Sequence, residues 1–245
     1  MTFDLVVATV GRTAELERFL VSLDAQTHRD FRVLVVDQNA DDRIVPVLDG
    51  RAVRLRSKPG LSRARNVALD ELRGDAVAFP DDDCVYPPDL LARVAERLKR
   101  LDGVTGREPW WQTDAAILTR ANLWNRAISF TIFLRRAVVE RVGAFDERLG
   151  LPESSGEEID YLIRALDGGA LLEYDPSIVV EHPRKHTDVA ARDGESIGYL
   201  LRKHRYGLRT VASMLARPAV GIVLDPTRAR FHRETLRGRV RGYRR

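Results

Sequence analysis

Asp75-Ala76-Val77-Ala78-Phe79-Pro80-Asp81-Asp82-Asp83 is the stretch on which the reading of this chain turns. A short, unbroken apolar run is followed at once by three adjacent carboxylates. Apolar character without alternation suits a strand covered on both faces. Carboxylates crowded at the end of such a strand repel one another, and each loses hydration worth several kcal/mol unless it is paired. A hard divalent cation resolves the conflict, because Mn2+ or Mg2+ takes oxygen ligands and commonly bridges carboxylates to a substrate's phosphates. The competing reading of these three residues alone is an acidic turn that favours the dipole of a helix starting near Pro87-Pro88.

Upstream, Phe3 to Val10 and Phe31 to Val36 read as buried strands and Ala52 to Leu55 as a weaker one. Between the first two, Leu16, Phe19, Leu20 and Leu23 keep helical spacing, and Gly60 opens a helix running through Leu72. A helix from Leu90 to Leu101 follows the acidic cluster. Strands alternating with helices indicate a mostly parallel sheet, whose ligands bind beyond the carboxyl ends of the strands. Asp37 and the Asp81 cluster both occupy that edge. Further on, Ser129 to Leu134, Ala170 to Tyr174 and Ile178 to Val180 are strand-like, while Arg136 to Val142 and Glu157 to Leu166 read as helices. The last 50 residues are helical in pattern, with breaks near Gly207, Pro218 and Pro226.

Composition bounds the function. A chain of 245 residues with 44% apolar content can build a full α/β core. No window reaches the ~18 apolar residues of a spanning helix, and the acid at Asp4 is unlike a signal peptide, so a cytoplasmic protein is expected. Cys84 is the sole cysteine, which excludes a disulfide framework and a cysteine-rich zinc site. The net charge of +4 conceals an asymmetry. From Ser196 onward, 13 arginines and lysines face only Asp225 and Glu234, whereas the first 195 residues carry 27 basic and 34 acidic side chains. Such a basic appendage points to an anionic surface.

Separated signals fall in a fixed order. Thr9-Val10-Gly11-Arg12 follows the first strand, Asp37 ends the second, and Gly60-Leu61-Ser62-Arg63-Ala64-Arg65-Asn66 opens a helix. Asp81-Asp82-Asp83 ends a strand, Gly156-Glu157-Glu158-Ile159-Asp160 opens another helix, and His182 closes a late strand. This series, from about Phe3 to His182, resembles the family-two nucleotide-sugar glycosyltransferases. The resemblance implies the GT-A fold, a Rossmann-like α/β domain with a mostly parallel central sheet and flanking helices. We place that domain at residues 1–195 and a basic helical extension at 196–245.

The resemblance also implies roles. Thr9, Arg12, Asp37, Arg65, Asn66, Asp81 and Asp82 would contact the nucleotide-sugar donor. Asp83 and His182 would hold Mn2+ or Mg2+, and Trp110, Trp111 and Glu157 would face the acceptor, with an aromatic ring suited to the apolar face of a sugar. A solvated helix face is the competing reading for Arg63 and Arg65, and core packing for one tryptophan. Glu158 stands where the family usually has the aspartate that takes the acceptor proton. Glutamate has a similar reference pKa but an extra methylene, and Asp160 is the fallback base. The expected acceptor is a lipid-linked or cell-envelope glycan in a bacterium, the basic segment lying on an anionic membrane through Leu200, Leu201, Leu208, Val211, Met214 and Leu215. Truncation after about Tyr206 should then spare transfer to a soluble acceptor. Two other classes compete. A nucleotidyltransferase needs a glycine-rich phosphate loop that Thr9-Val10-Gly11-Arg12 does not provide. A nucleic-acid-binding protein would use the basic segment, which has few interleaved aromatics and follows an acidic domain.

Overall fold

The computed structural model describes residues 1–150, 154–183 and 190–245. In it the apolar runs become the centre of one sheet. β1 (Phe3–Thr9), β2 (Phe31–Asp37), β3 (Val53–Arg56) and β4 (Ala76–Ala78) lie in the order β3-β2-β1-β4, all parallel. They are joined through α1 (Thr13–Asp24), a single turn α2 (Val45–Leu48) and α3 (Leu61–Leu69). α1 buries Leu16, Phe19, Leu20 and Leu23, the stripe its periodicity announces. Asp4, an acid inside β1, is tolerated because the amides of Arg73 and Gly74 each donate to it at 2.6 Å and Arg32 Nε at 2.9 Å.

Next come α4 (Leu90–Arg97), β5 (Gly103–Arg107), β6 (Ala116–Ile117), β7 (Ile132–Arg135), α5 (Arg136–Val142), α6 (Glu157–Asp167) and β8 (Leu172–Val179). The sheet has eight strands in the order β3-β2-β1-β4-β7-β5-β8-β6. β7 runs antiparallel to both neighbours, β8 is parallel to β5, and β6 is antiparallel to β8. Two short strands expected around residues 170–180 are one strand containing Pro176, and the pairing register shifts between Thr105 and Arg107 opposite it. The glycines of β5 hide it from propensity. A side chain at Gly103 would strike Leu134 and Leu172, and one at Gly106 would strike Ile178.

The chain divides into two compact units, Met1–Phe145 with Tyr161–Arg184, and Asp146–Asp160 with Lys185–Arg245. The first contains the sheet. The second contains the start of α6 together with α7 (Ala190–Lys203), α8 (Leu208–Leu224) and α9 (Ala229–Arg244). A boundary at 195/196 therefore falls inside α7, and the physical reason lies in the glycines. Gly194 and Gly198 on α7 and Gly238 and Gly242 on α9 are each four apart. A methyl at any of them would overlap backbone of the other helix: Thr235, Arg239, Ala191 and Glu195 respectively. These contacts keep a near-constant sequence offset, so α7 and α9 run parallel, backbone against backbone. α8 continues through Pro218, where a break was expected. Proline removes the amide that would bond the Met214 carbonyl, and the Arg239 guanidinium of α9 donates to that carbonyl instead.

Candidate active site

The carboxyl edge of the sheet gathers the acids. β1 and β2 are in register so that Thr9 pairs with Asp37, and an isolated parallel bridge joins Ala8 to Asp81. Thr9 Oγ1 donates to Asp82 Oδ2 at 2.7 Å. Arg12 Nη1 reaches Asp82 Oδ1 at 2.9 Å and Asp83 Oδ2 at 2.8 Å. Burial raises the Asp82 pKa against the opposing pull of Thr9 and Arg12. On the other side, His182 Nε2 lies 3.0 Å from Asp83 Oδ1 and 3.5 Å from Asp81 Oδ2, while Nδ1 is 3.7 Å from Glu108. The imidazole stacks on Phe130 with ring centroids 4.4 Å apart. Burial works against charge on His182, yet the Asp81 and Asp83 carboxylates prevail and lift its pKa to about 9.

Asp81, Asp83 and His182 present ligand atoms all within 4.8 Å of one another. Two carboxylates and an imidazole form a donor set that Mn2+ or Mg2+ accepts, so the residues fit a divalent cation. Trp110, 45% exposed, lines the same cleft with Arg18, Asp83, Val85, Glu181 and His182. Its neighbour Trp111 instead donates its indole N–H to the Asn125 carbonyl at 2.8 Å.

Other residues expected to contact the donor also have partners within the protein. Asp37 is fully buried and accepts from Asn39, Arg54 and Arg56; burial would raise its pKa, but these donors hold it below the usual carboxylate value. Asn66 uses both ends of its amide on the backbone of Phe145, at 3.1 and 2.7 Å. Arg65 is buried rather than solvated, its guanidinium beside the contacting rings of Phe79 and Phe145 and 3.8 Å from Asp81. Arg54, Arg56, Glu108 and Phe130 were missed from sequence. The two arginines had a detectable signal, since residues two apart in a strand share a face.

In the second unit, Gly156 enters α6 at φ +85°, a conformation that glycine adopts without strain. Glu157 is buried and Glu158 half-buried in the first turn. α7 braces this turn along its length. Ser196 Oγ meets Ser154 Oγ at 2.6 Å and the Ser155 amide at 3.1 Å, and Asp193 accepts from Ser155 Oγ at 2.9 Å. Asp160 is fully buried, with Lys203 Nζ at 2.6 Å and His204 Nε2 at 2.8 Å. Its partners make Asp160 an anchor for the helix start.

Residues 4–149 match the family described as Glycosyl transferase family 2. The chain belongs to that family. The succinoglycan biosynthesis protein ExoM of Rhizobium meliloti is 24% identical over 96% of this chain and 88% of its own length. A pre-mycofactocin glycosyltransferase of Mycobacterium tuberculosis is 26% identical over 74% of this chain, which spans 42% of that protein. Among solved structures, the mannosyltransferase PcManGT from Pyrobaculum calidifontis, in complex with GDP-Man and Mn2+, superposes with a TM-score of 0.71 at 15% identity, covering 98% of this chain and 86% of that one. That likeness establishes the GT-A fold.

Proposed function

We propose that this glycosyltransferase moves one sugar from a nucleoside-diphosphate-sugar donor to an acceptor hydroxyl, inverting the anomeric carbon in a metal-dependent reaction. The observation that carries this reading is the convergence of Asp81, Asp83 and His182 beside Arg12 and Trp110 at the carboxyl edge. Mn2+ or Mg2+ held by Asp81, Asp83 and His182 would supply a Lewis acid for the departing diphosphate. Arg12 adds a fixed cation next to the same carboxylates, and Trp110 offers a ring face to the acceptor sugar. Glu158, assigned from its place in the family motif, takes the proton of the acceptor hydroxyl as its oxygen bonds to the anomeric carbon. The sugar–phosphate bond breaks in the same displacement, and its electrons leave with the nucleoside diphosphate.

The acceptor we assign is a bacterial envelope or exopolysaccharide glycan, lipid-linked and met at an anionic membrane surface. The succinoglycan-pathway relative and the basic C-terminal segment support that assignment. The test is a panel of uridine, thymidine and guanosine diphosphate sugars, read by thermal stabilisation with Mn2+, Mg2+ or chelator. One donor should stabilise the protein only with metal and release a nucleoside diphosphate on transfer. Release of pyrophosphate would instead establish nucleotidyl transfer.

A further inference from the structure

α8 is apolar on two faces. Its inner side buries Val211, Met214 and Pro218. Its outer side carries Ala212, Ala216, Ala219, Val220, Val223 and Leu224, with Val220 51%, Val223 75% and Leu224 78% exposed. Residues 220, 223 and 224 share a helix face, so the exposed side chains form one patch rather than scattered singletons. The seventeen residues of α8 include no acid, and their only charges are Arg209 and Arg217. Arg228, Arg230 and Arg233 follow at the turn into α9 and are exposed. Of the two nearby acids, Asp225 accepts from Thr227 at 2.5 Å and Glu234 pairs with Arg230 at 3.0 Å. No helix among the described residues is long and apolar enough to cross a membrane.

We infer that the α8–α9 tip is the part of this protein that inserts into an anionic bilayer, with Val220, Val223 and Leu224 entering the headgroup layer and Arg217, Arg228 and Arg233 pairing with lipid phosphates. The inference rests on the membrane acceptor proposed above and names the element that delivers it. Charge complementarity selects the occupant. A second copy meeting it through the same face would bring arginines against arginines, and a nucleic acid would leave the valines and leucine in water. A lipid phosphate over an acyl boundary satisfies both chemistries. This assignment also differs from the sequence expectation, because Leu200, Leu201, Val211 and Met214 are core residues of the helical unit and only Leu208 of that set is largely exposed.

The experiment is co-sedimentation of the full chain with phosphatidylglycerol vesicles and with phosphatidylcholine vesicles, at low and high salt, alongside light scattering for mass. Binding is expected to phosphatidylglycerol only. The double variant Val223→Asp, Leu224→Asp should lose it at least tenfold while keeping donor-induced thermal stabilisation. Arg217→Gln and Arg228→Gln should each weaken it roughly fivefold at low salt and little at high salt. Unchanged binding by the double aspartate variant, absence of binding at low salt, or a wild-type dimer that the same variant dissociates would overturn the inference. Failure of the glycosyltransfer reading shows separately, as no nucleotide release with any donor.

Discussion

Asp83 has one oxygen near Arg12 and the other near His182, so its loss removes the hinge of the cation site. Asp83→Ala is expected to abolish transfer and Mn2+ binding, read by electron paramagnetic resonance, without changing the fold; full turnover by that variant would remove the metal from the mechanism. Glu158 and Asp160 should separate cleanly. Glu158→Gln should lower kcat by ~10²–10⁴ with the melting temperature nearly unchanged. Asp160→Asn should instead cost on the order of 3 kcal/mol of stability, because Lys203 and His204 lose their buried partner. The reverse pattern would make Asp160 the base. Asp146 gives a pH signature. Burial opposes its ionisation, but Arg148, Lys203 and Tyr199 hold its pKa well below the usual carboxylate range. A depressed pKa adds stability that is present above pH about 4 and drains away as pH falls toward the folded value. The urea midpoint should accordingly fall as the pH is lowered below about 4 in the wild type, and fall less in Asp146→Asn. The crowding of Asp81, Asp82 and Asp83 was legible in sequence because repulsion among neighbours is local information, whereas His182, far away in the chain, entered only through the family resemblance. The commitment of Asn66 to Phe145 was not, since it joins residues 79 apart.

Among elements, the sheet core and the helical character of the last 50 residues were legible, whereas the packing of those helices on one another was not. β1, β2 and β4 centre on the apolar runs at residues 5–8, 33–36 and 76–78, and their strand character needs no partner to be seen. The pairing of α7 with α9 reveals itself only through the glycines, which propensity counts as weak points. Those glycines allow backbone contact, so filling them should be severe. Gly198→Ala and Gly242→Ala are each expected to destabilise by about 1–3 kcal/mol or more through overpacking. Gly207→Ala, where a methyl meets nothing, is the control. Equal stability of all three variants would show that the helices pack differently. Pro218 was likewise misleading in sequence, because the arginine that relieves it lies 21 residues further on.

For the whole molecule, the basic segment also packs as part of the helical unit. Truncation after Tyr206 removes α9, and with it the surface on which Gly194 and Gly198 of α7 pack. α7 in turn braces Ser154, Ser155 and Asp160 around Glu158. Such a truncation is therefore expected to lose transfer even to a soluble acceptor while retaining Mn2+ binding at Asp81, Asp83 and His182. Retained transfer would mean that α7 holds the acidic turn unaided. The parallel pairing of α7 and α9 also carries a consequence for synthesis. The partner that covers α7 is made roughly forty residues after it. At about 5–20 residues per second, the ribosome leaves α7 uncovered for seconds after it emerges. A nascent chain can thus complete its strands and its acidic cluster before α9 emerges to cover α7 and so secure the turn bearing Glu158.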